Sequence, residues 1–91
     1  MLLGKVVGTV WSTRKDEKLV GAKFLIVKQL DLENKQKESF VVAVDSVGAG
    51  VGEVVLYASG SSARQTTLTK DKPVDAVIMA IVDKLDVSVK E

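Results

Sequence analysis

The apolar residues of this chain come in short runs rich in valine and isoleucine, and each run is stopped by glycine or by a cluster of charge. Val6-Val7-Gly8-Thr9-Val10-Trp11 gives way to the charged stretch Arg14 to Lys18, and Phe24-Leu25-Ile26-Val27, extending to Leu30, gives way to the polar segment Asp31 to Glu38. Phe40-Val41-Val42-Ala43-Val44 is followed by Gly48, Gly50 and Gly52, and the run from Glu53 to Ala58 by Gly60. Branched and aromatic side chains lose rotamer freedom in a helix and pack well on a pleated surface, so runs of this kind favour strands. Gly8, inside the first run, suggests a bend or bulge.

Two segments need separate treatment. Gly60-Ser61-Ser62-Ala63-Arg64-Gln65 carries serines suited to capping and supports one short helical turn. From Val74 to Val89 the pattern is mixed, because Ala76, Ile78, Met79 and Val82 would also line one face of a helix. The alternation of Val77, Met79 and Ile81, then of Leu85, Val87 and Val89 against Lys84, Asp86, Ser88 and Lys90, favours a strand. Five short strands, one short helical element and no room for βαβ crossovers predict a mainly all-β fold: a small five-stranded OB-like antiparallel β-barrel. At 91 residues the chain is expected to form one domain, 1–91.

Composition narrows the chemistry. Histidine and cysteine are both absent, which excludes disulfides, thiol nucleophiles, Cys/His zinc sites and every His-based acid–base arrangement within one chain. The run Gly48-Ala49-Gly50-Val51-Gly52-Glu53 invites comparison with a dinucleotide fingerprint. Its sixth position is Glu53, however, and a strand rather than a helix follows, so no helix N-terminus receives a pyrophosphate. Glycines at a tight turn are the plainer reading. Ser61 and Ser62 beside Arg64 lack a base, and Asp45, Asp75 and Asp83 match no metal-loop spacing. No cofactor, metal or enzymatic activity is expected.

The formal net charge of +1 creates no general attraction for nucleic acid or anionic lipid. No uncharged run approaches the ~18 residues of a membrane span, and Met1-Leu2-Leu3-Gly4-Lys5 reaches a charge before a signal-peptide core can form, so a cytoplasmic protein with no membrane partner is expected. An OB-like barrel raises single-stranded nucleic-acid binding as an alternative, which needs a basic groove and exposed aromatic platforms. The aromatics are Trp11, Phe24, Phe40 and Tyr57, of which the last three sit inside strand patterns and are expected in the core. Trp11, at a strand end, suits a base platform or a subunit contact equally.

Several blocks together carry a resemblance. Lys5-Val6-Val7-Gly8-Thr9-Val10-Trp11-Ser12-Thr13 and Gly21-Ala22-Lys23-Phe24-Leu25-Ile26-Val27 are followed in order by Val42 to Glu53, Gly60 to Gln65, Pro73 to Ile78 and Ile81-Val82-Asp83. In these the chain resembles the EutN/CcmL family of bacterial microcompartment vertex proteins. The resemblance implies a homopentamer of OB-like barrels at the five-fold vertices of a polyhedral shell whose facets are hexagonal shell proteins of another family. It also implies a structural rather than a catalytic role, and the block Asp45 to Glu53 looks closer to metabolosome relatives than to carboxysome ones. Gly48, Ala49 and Gly50, with Ser61, Ser62 and Arg64, are placed by the resemblance near subunit contacts or the five-fold axis. The departures are Trp11, where many relatives carry a smaller apolar residue, and the charge-rich loops Arg14 to Lys18 and Asp31 to Glu38.

Overall fold

A computed structural model describes residues 1–13 and 15–88. Its strands are β1 (Leu2–Val10), β2 (Phe24–Leu30), β3 (Gln36–Asp45), β4 (Val54–Ser59) and β5 (Ala76–Ile81), with short 3-10 turns at Glu17–Leu19 and Gly60–Arg64. The strands close into a barrel in the order β1-β2-β3-β5-β4, with β4 returning to β1. The expected barrel and the helical turn after β4 are both present, and the turn at Glu17–Leu19 is an addition. Gly8 marks the expected bulge: Val6 faces Val27 and Gly8 faces Ile26, which leaves Val7 as the extra residue.

One pair is not antiparallel. β3 and β5 run parallel and meet only through Val44–Val77 and Asp45–Ile78. Five strands in a closed ring cannot alternate in direction all the way round, so one parallel pair is unavoidable, and β5 reaches it by running antiparallel to β4.

Two strand boundaries differ from the sequence expectation. β3 starts at Gln36, inside the polar segment Asp31 to Glu38 that follows the second apolar run in sequence, because Leu30 still has Gln36 as its ladder partner. The connection shrinks to a tight loop in which the Asp31 carboxylate accepts from the Glu33 and Lys35 amides at 2.8 and 2.9 Å, and Asn34 takes the left-handed conformation. At the other end, the strand expected to reach Val89 stops at Ile81. Its antiparallel partner β4 begins at Val54, and the last bond between them runs from the Val82 amide to the Val54 carbonyl. Residues 83–88 leave the sheet, while Val89 and Lys90 of the expected alternation, and Arg14 of the charged loop, lie outside the described residues.

The barrel interior is small. Val6, Leu25, Val27, Ala43, Val55, Tyr57, Ala76 and Ile78 fill it together with the loop residue Ala49, and a second cluster of Ala58, Ala63 and Val77 lies against the turn after β4. Tyr57 occupies the core as expected, and burial pushes its phenol pKa above the ordinary tyrosine value. Phe40 does not: Val41 and Ala43 take the inward positions of β3, so the strand's period of two turns Phe40 to the outside, 59% exposed. Phe24 is half-buried on the outer face, with the Lys15 ammonium 5.3 Å from its ring centre.

Close packing explains Gly4, which sits buried in β1 between β2 and β4. A Cβ there would come within 2.5 Å of Val27 Cγ1 and 2.7 Å of Tyr57 Cε1, both attached to buried side chains. Gly4→Ala is therefore expected to destabilise by about 1–3 kcal/mol through overpacking, read as a lower Tm in a thermal melt. A second expectation concerns acid. The Lys35 amide, followed by that of Glu33, holds the Asp31 carboxyl below its ordinary pKa despite an opposing desolvation. Its contribution to stability is then present above the unfolded carboxylate value of ~3.9 and is lost as pH falls through the lower folded value. Asp31→Asn should flatten that part of the Tm-against-pH curve, and an unchanged acid limb would contradict the assignment.

Candidate assembly surface

The loop between β3 and β4 is braced from several sides. Asp45, the last residue of β3, folds its carboxylate back to accept from the Val47 and Ala49 amides at 3.1 and 3.2 Å. Lys23 stands beside it, with its ammonium 4.0 Å from the other Asp45 oxygen and donating to the Ala49 carbonyl at 3.1 Å. The Gly50 amide donates to the Glu53 carboxylate at 2.7 Å, and the Gly52 amide donates to the Val6 carbonyl at 2.8 Å. Gly48 and Gly52 adopt φ of 77° and 93°, conformations that favour glycine, so the glycine spacing is that of a turn.

Within this loop the candidate residues separate. Ala49 puts its methyl into the barrel core, 1% exposed, where it closes one end of the interior. Gly48 is exposed, and Gly50 is partly covered; a Cβ at Gly50 would meet only Glu53 Oε1, at an ordinary 3.5 Å.

The second candidate segment follows β4. Gly60 opens the 3-10 turn, its amide donating to the Asp75 carbonyl at 2.8 Å, and Ala63 is buried beneath it. Ser61, Ser62 and Arg64 face outward, and the Arg64 guanidinium donates to the Val74 carbonyl at 3.1 Å. The turn is anchored by a residue that sequence reasoning missed. Thr69, wholly buried, donates its hydroxyl to the Ala63 carbonyl and shares a 2.6 Å hydrogen bond with the Thr66 hydroxyl. In sequence it is one more threonine in a polar stretch, and only burial marks it. The two candidate segments belong to different packing clusters, and among the described residues no hydrogen bond or ion pair joins them.

The outside of the barrel carries more apolar side chain than its interior accounts for. Trp11 is 89% exposed, and Val20, Leu32, Phe40, Val42 and Val51 also show large exposed areas. Chemical groups are scarce by comparison. Among the described residues, no three of His, Cys, Asp and Glu gather to hold a metal. An open groove of about 790 Å³ is lined by Leu32, Asn34 and Val54 on one side and by Leu85 and Val87 of the C-terminal segment on the other.

These features define a small closed OB-like β-barrel with rigid small-residue loops and unburied apolar residues on its outer surface. The chain belongs to the EutN/CcmL family, whose model, described as ethanolamine utilisation protein EutN/carboxysome, matches residues 1–83. It is 48% identical to the bacterial microcompartment shell vertex protein GrpN of Rhodospirillum rubrum, over 94% of this chain and 97% of that one. The solved structure of the pentameric microcompartment shell protein GrpN from Rhodospirillum rubrum superposes with a TM-score of 0.87 at 46% identity, covering 96% of this chain and 99% of that chain. The CcmL structure from Nostoc sp. PCC 7120 superposes with a TM-score of 0.91 at 45% identity, covering 97% and 93% of the two chains. The family resemblance read from the sequence blocks is therefore borne out, and these relatives carry the names of shell vertex and pentameric shell proteins, which does not favour the nucleic-acid-binding alternative.

The Thr69 network makes its own prediction. Thr69→Val keeps the shape but leaves the Ala63 carbonyl without its donor, a loss of about 1–3 kcal/mol. A thermal melt should show it, and an unchanged Tm would mean that the network contributes nothing.

Proposed function

We propose that this chain is a structural shell protein, without catalytic activity, whose homopentamer caps the five-fold vertices of a polyhedral bacterial microcompartment in the cytoplasm. The carrying observation is the likeness over nearly the whole chain to a pentameric microcompartment shell protein. The exposed apolar residues around the barrel support it, since a free barrel that leaves Trp11, Phe40 and Val51 in water has surface suited to burial against further copies. The chain acts as one vertex domain over residues 1–91. On the Asp45 to Glu53 block, the shell is of the metabolosome kind. Its other partners are hexagonal shell proteins, and no nucleic acid, membrane or cofactor takes part.

A cyclic pentamer joins each subunit head to tail through two different patches, and once the ring closes both patches are satisfied. Purified alone, the protein should therefore stop at discrete rings. Native mass spectrometry at low micromolar concentration is expected to show a five-subunit species, and a stable monomer there would refute the ring. Electron microscopy of a strain lacking the protein should show elongated or leaky compartments; regular sealed polyhedra of normal size, with no substitute vertex protein, would refute the vertex role.

We further place Gly48, Ala49, Gly50, Ser61, Ser62 and Arg64 near the subunit contacts or the five-fold axis. Ala49 contributes there through its backbone, because its methyl belongs to the core. Gly50 offers the direct test, since within one chain an added Cβ meets nothing closer than 3.5 Å. Gly50→Val is expected to weaken the pentamer more than it lowers monomer stability. A variant with unchanged assembly mass and Tm would remove the close-approach argument.

A further inference from the structure

Two features left over by the barrel match each other. The first is an open edge on β3. One edge of this strand is paired with β2 from Phe40 to Val44 and again at Gln36, but the other meets β5 only at Val44 and Asp45. From Gln36 to Ala43 that second edge has no ladder partner among the described residues, and an uncovered edge is a template for another strand. The second feature is the C-terminal segment. Leu85 and Val87 alternate with Lys84, Asp86 and Ser88, a strand pattern, yet among the described residues the segment has no ladder partner, because its barrel has run out of partner at Val54.

The side chains agree with the backbone. Phe40 and Val42, two residues apart on the outward face of β3, are both exposed, and so is Leu85, while Val87 is half-covered. A strand added to the open edge of β3 places two apolar residues spaced by two beside two others spaced by two, on one face of the sheet. Within one chain, the segment instead stands across the open 790 Å³ groove from the tip of the β2–β3 hairpin at Leu32.

We propose that in the ring the segment Lys84–Ser88 of one subunit adds as a strand to the open β3 edge, Gln36–Ala43, of the next. This rests on the pentamer proposed above and names one of its two complementary patches as an edge and the other as a strand. The contact is heterologous, as a head-to-tail ring requires, because edge and strand lie on different parts of the chain. Main-chain hydrogen bonds supply the attachment, and the Phe40, Val42, Leu85 and Val87 side chains supply the register.

The absence of native cysteine makes the test clean. Paired variants Val42→Cys with Leu85→Cys, and Val42→Cys with Val87→Cys, are oxidised as assembled protein and run without reductant. At least one is expected to give a ladder of covalently joined chains, absent from each single-cysteine variant. In parallel, hydrogen exchange is followed over Gln36–Ala43 in the wild-type ring and in Val87→Pro, whose proline has no amide to give to a ladder. Exchange there should quicken by about tenfold or more in the variant. A wild-type protein that is not pentameric overturns the ring and this contact together. An intact ring with disulfides only inside single chains, with no disulfides, or with β3 exchange unchanged in Val87→Pro overturns the strand addition and leaves the pentamer standing.

Discussion

A closed ring with an odd number of strands must contain a parallel pair, and much of this molecule is arranged around that pair. β3 and β5 share only two residue positions before they diverge, so the seam is the narrowest join in the barrel. Sheets elsewhere in the ring are held by longer antiparallel ladders, most of all between β2 and its two neighbours. The short seam is reinforced by groups outside the ladder. Ser46, just past β3, donates its hydroxyl to the Ile78 carbonyl of β5, and Asp45 organises the loop whose Ala49 closes that end of the core.

A barrel of this size also limits what can point inward. Where strands cross close to one another the interior has room for little more than a methyl group, and Ala43, Ala49 and Ala76 are buried there, with Gly4 lacking even a Cβ. The larger residues that a 46% hydrophobic chain must place somewhere are in part displaced to the outside. In an isolated small domain such a surface is a liability; in a building block it is the material of contact.

Rigidity and the lack of reactive groups suit the same purpose. The loops that carry the small residues are tied by carboxylate-to-amide and hydroxyl-to-carbonyl bonds, so their shape is set before any neighbour arrives. A preset shape costs less conformational entropy on assembly than a loop that must be ordered at the contact. Asp45, engaged by backbone amides and Lys23, and Arg64, engaged by the Val74 carbonyl, serve to hold backbone in place.

The sequence by itself determined the strand count, the bulge at Gly8, the turn after β4, the exclusion of His and Cys chemistry, and the family. Each of these depends on local preference or on residue identity, which a linear pattern records directly. The tertiary structure alone decided which end of an apolar run stays paired and which side chains go inward. The strand pattern read from Val74 to Val89 continues past Ile81 in the alternation of Leu85 and Val87 with Lys84, Asp86 and Ser88, but a ladder needs a partner, and β4 supplies one only as far as Val54. Phe40 reads as core because it heads an apolar run, and it lies outside because Val41 and Ala43 claim the narrow interior on the alternate positions. Thr69 is polar in sequence and buried in space, because the chain folds back six residues after Ala63 and seats the Thr69 hydroxyl on the Ala63 carbonyl. Pairing, facing and burial are relations between segments, and they exist only once the barrel has closed.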